Sequence, residues 1–462
     1  MLKTFFDNTQ KSGLRIYSAV LFKGGEKIIE YSIPPYNTKS QKSFRMYSAT
    51  KSFVAIAILS LASEGKLSLN DKITTFFEDE FDFSNIHPYL AETTVENLLT
   101  MQTPFSKPTY GTQNKDWLAS YFKELPEHPA GTVWSYDSCG SYVLEAIVKR
   151  VSGKPFCEYL RPIFDEIGVS KEVYCLKGPD GECWGGSGLI ATTEDLARTA
   201  YFMLNGGKWK GKQLINKEFA LKAISPLVPN NNSVNPYYTL CGYGYQIWCL
   251  PDGGFYFNGM NGQMAIGFPD RDLVFACNSD LGGLPDYKNY IIDAVYSDIL
   301  PNFPKIKKPE YFKPKTVPTS NFIEHINGKE FIINENSANI TSLSLNFNGD
   351  IGELTYTRNN KHKYSIPFDL NNEIDFVFPE KYTGSPLFDE GNYINYNCRI
   401  KTEWIAENQL ILRIYTTDIY IGNMSLCLGF KGDEITVLGS SAAQFFFDNF
   451  KIFTGGKIKN EQ

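Results

Sequence analysis

The chain has 462 residues, a formal net charge of −6, 42% hydrophobic residues and 21% charged residues. That length exceeds one ordinary domain and the balance is globular, so two or three domains with sizeable cores are expected. The acidic balance argues against nucleic acid or an anionic membrane surface as a partner, and no apolar run reaches the length of a membrane span.

Residues 1–15 hold no continuous apolar core and no small-residue cleavage pattern, so no secretory leader is expected and a cytoplasmic location is. Nine cysteines are scattered without a CxxC pair or a Cys/His cluster, which fits reduced thiols. His87, His128, His325 and His362 sit in no metal motif, so neither a metal nor another cofactor is expected.

Residues 16–22 and 27–32 are β-rich runs joined through Lys23-Gly24-Gly25-Glu26. Gly-Gly suits a two-residue hairpin turn, so the chain is expected to open with an antiparallel hairpin. The stretch 44–66 follows. Its residues 53–62 are apolar almost all the way round, which predicts a buried helix, with Gly65 as a left-handed stop. Ser48 stands at the start of that helix and Lys51 one turn later on the same face. A helix N-terminus offers free N–H groups and a positive dipole end, which favour an oxyanion and a neutral lysine nearby. Ser-x-x-Lys recurs at Ser63/Lys66 and Ser120/Lys123, but neither pair precedes such an apolar helix. Taken alone, Ser48 reads as a helix cap and Lys51 as a solvated lysine.

Short helical pieces are expected at 71–77, 94–99 and 116–125, and a Pro/Gly/Thr-rich loop at 105–115. His128-Pro129-Ala130-Gly131-Thr132 makes a turn, after which a short extended piece carries Trp134 and Tyr136. An apolar helix over 142–151 stops at Gly153, and another is expected over 154–164. Gly185-Gly186-Ser187-Gly188 reads as a flexible loop. Thr193-Glu194-Asp195 then caps a helix that ends at Gly206-Gly207. Strands are expected at 243–250 and 255–257. A strand pair over 263–268 and 272–278 turns at Pro269-Asp270-Arg271, and a closing helix spans 286–299.

Pro301, Pro304, Pro309, Pro314 and Pro318 punctuate a Lys-rich linker over 301–320. Beyond it the period changes to two. Apolar residues alternate at Leu343, Leu345 and Phe347, again at Ile374, Phe376 and Phe378, and along 410–415. Further strand-like runs lie at 353–358, 425–430, 434–438 and 444–447. Residues 321–462 therefore predict an all-β unit, a sandwich or a small barrel, with an accessory role.

Three groups of residues carry chemistry together: Ser48/Lys51, Tyr136-x-Ser138, and Phe257-Asn258-Gly259 followed by Met260. With Gly186-Ser187-Gly188-Leu189 between the second and third, their order and spacing resemble the serine β-lactamase and penicillin-binding-protein-like hydrolases, in the class C and esterase-like branch. The resemblance spans 16–300. It implies an α+β fold for residues 1–300, an antiparallel sheet flanked by helices with a helical insertion, and a site between sheet and insertion.

A serine hydroxyl needs a base to become a nucleophile. The resemblance makes Ser48 that nucleophile and Lys51 its base, with Tyr136 passing the proton to the leaving group. Ser138 stands where the family has Asn, and its hydroxyl can bond Lys51 or substrate. Phe257 replaces the lysine or histidine of the third motif, so its ring is expected to make one wall of the cleft apolar. Asn258 offers an amide, Gly259 keeps the strand edge open, and the N–H groups of Ser48 and Met260 form the oxyanion hole. The expected activity is hydrolysis of an ester, amide or peptide through an acyl-enzyme, on a small-molecule or peptide substrate. Two alternatives stand beside it: a catalytically silent ligand-binding relative, and a true β-lactamase or D-Ala-D-Ala peptidase.

Overall fold

The computed structural model describes residues 2–34, 36, 42–233, 240–282, 286–312, 319–382, 394–418, 422–443, 447 and 450–459. Strands Ile16–Lys23 and Glu26–Ser32 form the expected hairpin. Gly24 and Gly25 both take positive φ, 62° and 84°, which matches the twist of a two-residue turn. The hairpin is one edge of a six-stranded antiparallel sheet. From that edge the order is Glu26–Ser32, Ile16–Lys23, Leu273–Ser279, Gln263–Phe268, Phe255–Gly259 and Trp248–Cys249.

Helices cover both faces of this sheet. On one side lies Leu2–Lys11, which sequence reading did not foresee ahead of the hairpin. Its Leu2, Phe5, Phe6 and Thr9 are buried at helical spacing, and Phe5 meets Phe275 of the sheet edge to face, 5.0 Å between ring centroids. On the other side lie Thr50–Ser63, Ser138–Ser152 and Thr193–Leu204. The first is buried at every position from Thr50 to Leu61, which explains an apolar pattern with no polar stripe. It stops at Gly65, at φ 69°, where Lys66 N–H returns to Leu61 O at 3.0 Å.

Several expected boundaries move. The 154–164 helix is two, Phe156–Tyr159 and Arg161–Ile167, because Pro162 lacks the N–H that would join them. Thr192, not Thr193, caps Thr193–Leu204, in a capping box with Asp195. The 243–250 strand shortens to Trp248–Cys249, since Gln246 takes a left-handed φ of 57°. The closing helix is Tyr287–Ala294, continued by the wider turn Val295–Ile299.

Beyond residue 320 stands a ten-stranded antiparallel sheet. Its order is Lys363–Asp369, Ile351–Arg358, Ile340–Asn348, Glu330–Ile333, Phe453–Ile458, Glu434–Ala443, Gly422–Lys431, Gln409–Thr416, Ile394–Ala406 and Ile374–Tyr382. The two edge strands approach each other, so the sheet is nearly closed and barrel-like, around Leu345, Leu354, Phe368, Ile400, Leu412 and Leu426. Four of its strands were not read from the sequence: Glu330–Ile333, Lys363–Asp369, Ile394–Ala406 and Phe453–Ile458. Pro367 hid the second, and a proline is tolerated there because that strand is an edge. Residues 444–446 of the expected 444–447 strand, and Pro314 and Pro318 of the linker, lie outside the described residues. Among the described residues, no helix is long and apolar enough to cross a membrane.

Candidate active site

The turn before the Thr50–Ser63 helix places Ser48. Tyr47 holds φ at 46°, a left-handed value that is strained for an aromatic residue. Ser48 and Ala49 then complete a single 3-10 turn that runs into the helix. Lys51 lies one turn on and is only 2% exposed. Its Nζ donates to Ser48 Oγ at 3.1 Å and to Gly186 O at 2.6 Å. Lys66 and Lys123 of the other two Ser-x-x-Lys pairs are exposed. Burial and two fixed acceptors distinguish Lys51 from both.

Gly186 was read from the sequence as part of a flexible loop, and the structure assigns it a different role. A Cβ on Gly186 would lie 2.9 Å from Ser138 O and 3.7 Å from Lys51 Nζ. The loop is tied down: Ser187 and Gly188 N–H donate to Trp184 O at 2.9 and 2.7 Å, and Arg45 donates to Ser187 O and Oγ at 3.1 and 2.9 Å. Arg45 also stacks on Tyr47 and Trp184, 4.7 and 4.4 Å from the ring centroids. The glycines serve close backbone approach rather than mobility. Their density at 185–188 was the available signal.

Tyr136 is 40% exposed and presents its ring to the lysine, with Lys51 Nζ 5.0 Å from the centroid. Trp248 stacks beside that ring at 5.9 Å, and Lys288 lies over Trp248 at 4.8 Å. Among the described residues, no hydrogen bond joins the Tyr136 hydroxyl to Ser48 or Lys51. Asp137, absent from the expected site, caps the Ser138–Ser152 helix by accepting from Cys139 and Gly140 N–H at 2.7 and 3.1 Å. Burial raises its carboxyl pKa, while those N–H bonds and the Lys51 charge oppose the rise.

A cleft of about 380 Å3 collects these groups. Ser48, Tyr136, Asp137, Ser138, Gly186 and Met260 line it, with Phe105, Tyr110 and Trp184 forming an aromatic wall. Phe257 does not line it. Its ring is fully buried and packs edge to face on Phe53, 6.3 Å between centroids. This corrects the expectation of a phenyl wall, because the strand's register turns that side chain toward the Thr50–Ser63 helix. Asn258 is half-buried, its Oδ1 is unpartnered among the described residues, and it does not line the cleft. Gly259 does not hold an edge open either. A Cβ there would lie 2.2 Å from Met46 O, so the glycine lets the strand pack against the turn that carries Ser48. Tyr287 donates to Gly259 O at 3.3 Å, and burial, with Tyr136 nearby, pushes its pKa up to about 12. Among the described residues, no three His, Cys, Asp or Glu side chains converge as metal ligands.

Comparison with known proteins shows the family and the fold. The family described as Beta-lactamase matches residues 5–293. An uncharacterised protein of Alkalihalophilus pseudofirmus is 24% identical over 282 residues, covering 54% of this chain and 77% of its own. A solved structure titled a putative 6-aminohexanoate-dimer hydrolase from Bacillus anthracis superposes with a TM-score of 0.53 at 22% identity, over 64% of this chain and 83% of that one. The octameric penicillin-binding protein homologue from Pyrococcus abyssi superposes with a TM-score of 0.52 at 16% identity, over 98% of each chain. That last likeness extends through the barrel, so the fold of both parts is shared.

Proposed function

The chain belongs to the beta-lactamase family, and from that premise we propose that it is an acyl-serine hydrolase of an ester, amide or peptide. The observation that carries the proposal is Lys51 Nζ, buried and held at once by Ser48 Oγ at 3.1 Å and Gly186 O at 2.6 Å, at the edge of a cleft that Ser48 lines. In its neutral form Lys51 takes the Ser48 proton as Oγ attacks the substrate carbonyl. The N–H groups of Ser48 and Met260 receive the oxyanion. Tyr136 carries the proton to the leaving group and later draws one from the water that releases the acyl group. Ser138, at the first turn of its helix, lines the cleft and bonds substrate there.

The cleft also bears on substrate charge. Phe105, Tyr110 and Trp184 give it an apolar wall, and its rim carries Lys107, which pairs with Glu124 at 3.5 Å. Neutral substrates suit this lining better than carboxylates, which leaves penicillins and D-Ala-D-Ala peptides the less favoured reading. The solved relatives share the fold and leave the substrate open.

Two observations favour a second reading, a ligand-binding relative without turnover. The third motif supplies no cation to the cleft, and the Tyr136 hydroxyl is not bonded to Ser48 or Lys51. Turnover of p-nitrophenyl esters by the wild type and by Ser48→Ala separates the two. Turnover that Ser48→Ala abolishes supports the hydrolase. Equal rates in both proteins would remove Ser48 from the chemistry.

A further inference from the structure

The barrel holds the chain segment that presents Tyr136. Residues 127–137 form no helix or strand of their own. On one side they hang from the neighbouring segment of the hydrolase domain. Glu127 N–H donates to Pro104 O at 3.1 Å, Gly131 N–H to Gln102 O at 2.9 Å, and Ser135 N–H to Met101 O at 2.9 Å. On the other side they lie flat on the outer face of the barrel.

That face is shaped for them. Gly429, Thr436 and Gly455 stand directly opposite one another on three neighbouring strands, Gly422–Lys431, Glu434–Ala443 and Phe453–Ile458. None of the three projects a bulky side chain, so the row makes a shallow trough across the sheet. A Cβ on Gly429 would lie 2.8 Å from both Thr132 O and Val133 Cγ1, and one on Gly455 would lie 2.8 Å from Glu127 O. Neither glycine has a positive φ, so the requirement is space rather than backbone conformation. Between them the Thr436 hydroxyl bonds Thr132 Oγ1 at 2.7 Å, and Lys431 Nζ donates to Ala130 O at 3.1 Å.

Two residues along the strands, a second row runs across the same face: Ile411, Cys427, Leu438 and Phe453. Val133 packs on Ile411 and Cys427 as a small core of its own, and the His128 ring stacks on Phe453 at 4.2 Å. His128, Thr132 and Val133 are fully buried by this contact. Tyr136 follows Val133 by three residues and Asp137 caps the next helix, so the height of the trough sets where the tyrosine ring meets Lys51.

We infer that the barrel is a positioning element for Tyr136, with Gly429, Thr436 and Gly455 as its positioning residues. The inference rests on the reading of Tyr136 as proton carrier. Gly429→Val should lift the segment, and Thr436→Val should loosen it without adding bulk. Both should lower kcat for p-nitrophenyl acetate, the first by at least about tenfold, with KM falling in step so that kcat/KM, which reports acylation, stays within about twofold. The p-nitrophenolate burst should persist, because that leaving group needs no proton, while steady turnover slows. Amide exchange across 127–137 should quicken in both variants. The control is Leu412→Ala, which cuts into the barrel interior away from the trough; it should lower Tm yet leave kcat and that exchange unchanged. Wild-type kcat and exchange in the trough variants would overturn the inference, as would an equal kcat loss in Leu412→Ala. If the wild type proves inactive, the acyl-serine reading fails, and exchange over 127–137 still decides whether the trough holds the segment.

Discussion

Lys51 Nζ faces the ring of Tyr136, 5.0 Å from its centroid, while its hydrogen bonds go to Ser48 Oγ and Gly186 O. Under the proposed mechanism the tyrosine has two separable parts, a ring that packs against the lysine and a hydroxyl that would carry the proton.

Tyr136→Phe keeps the ring and removes the hydroxyl. Its kcat on p-nitrophenyl esters should fall by about 10²–10⁴, the usual range for one acid–base group. Tyr136→Leu should be worse still, since it also removes the ring that packs 5.0 Å from Lys51 Nζ and helps fix its position. Lys51→Ala combined with Tyr136→Phe should be little worse than the poorer single variant, because groups acting as one unit are non-additive. Losses that multiply in full would mean separate proton paths.

Gly186→Ala tests the loop that anchors the lysine. The new methyl meets Ser138 O at 2.9 Å and Ser138 Cβ at 3.6 Å, so the loop must shift. Overpacking of this kind costs about 1–3 kcal/mol. Melting curves should show that loss, and kcat should drop more than tenfold as Gly186 O leaves Lys51. A fully active Gly186→Ala would show that this carbonyl does not set the lysine's position.

Phe257 separates the core from the cleft. Its ring is fully buried against Phe53. Phe257→Ala should cost about 3–5 kcal/mol on denaturant titration. Phe257→Lys should be at least as damaging, because an ammonium would be buried without a partner. A stable Phe257→Lys that gains activity on carboxylated substrates would restore Phe257 to the cleft wall.

Acid should weaken the contact between His128 and the barrel. His128 is fully buried against Phe453, and burial lowers its pKa from 6.5 to about 4. The folded protein holds the neutral ring, whereas the unfolded chain takes up a proton below about pH 6.5. Stability therefore rises with pH between about 4 and 6.5 and is level above that. The span is worth about 3 kcal/mol. Denaturation measured at pH 4.5 and pH 7 should show this slope in the wild type and a flatter one in His128→Phe. Equal slopes in the two proteins would place the acid sensitivity elsewhere.

Most of the fold around the six-stranded sheet was legible in the sequence because periodicity and turn chemistry agree there. Gly24-Gly25 marks the hairpin, and the unbroken apolar run before Gly65 marks a helix buried on all sides. The helix Leu2–Lys11 has apolar residues at helical spacing too, but Leu2, Phe5 and Phe6 are too few to stand out from the polar residues around them. Phe257 was misplaced because a strand residue's face depends on register, and that register is fixed by packing on the Thr50–Ser63 helix rather than by local pattern. The barrel's period of two was plain, but its outer row of Ile411, Cys427, Leu438 and Phe453 was not. Alternation names two faces and cannot say that both are covered. Gly429 and Gly455 carry no signal of their own in the sequence, and only the segment lying on them gives a reason for glycine.

The central claim is that Ser48 becomes acylated with Lys51 as its base. Peptide mapping by mass spectrometry after treatment with a fluorophosphonate probe tests it most directly. The wild type should carry one adduct, on Ser48 in the tryptic peptide that ends at Lys51. Lys51→Ala should label far more slowly, and Ser48→Ala should not label at all. A wild type that stays unlabelled, or an adduct on another serine that survives Ser48→Ala, would contradict the account.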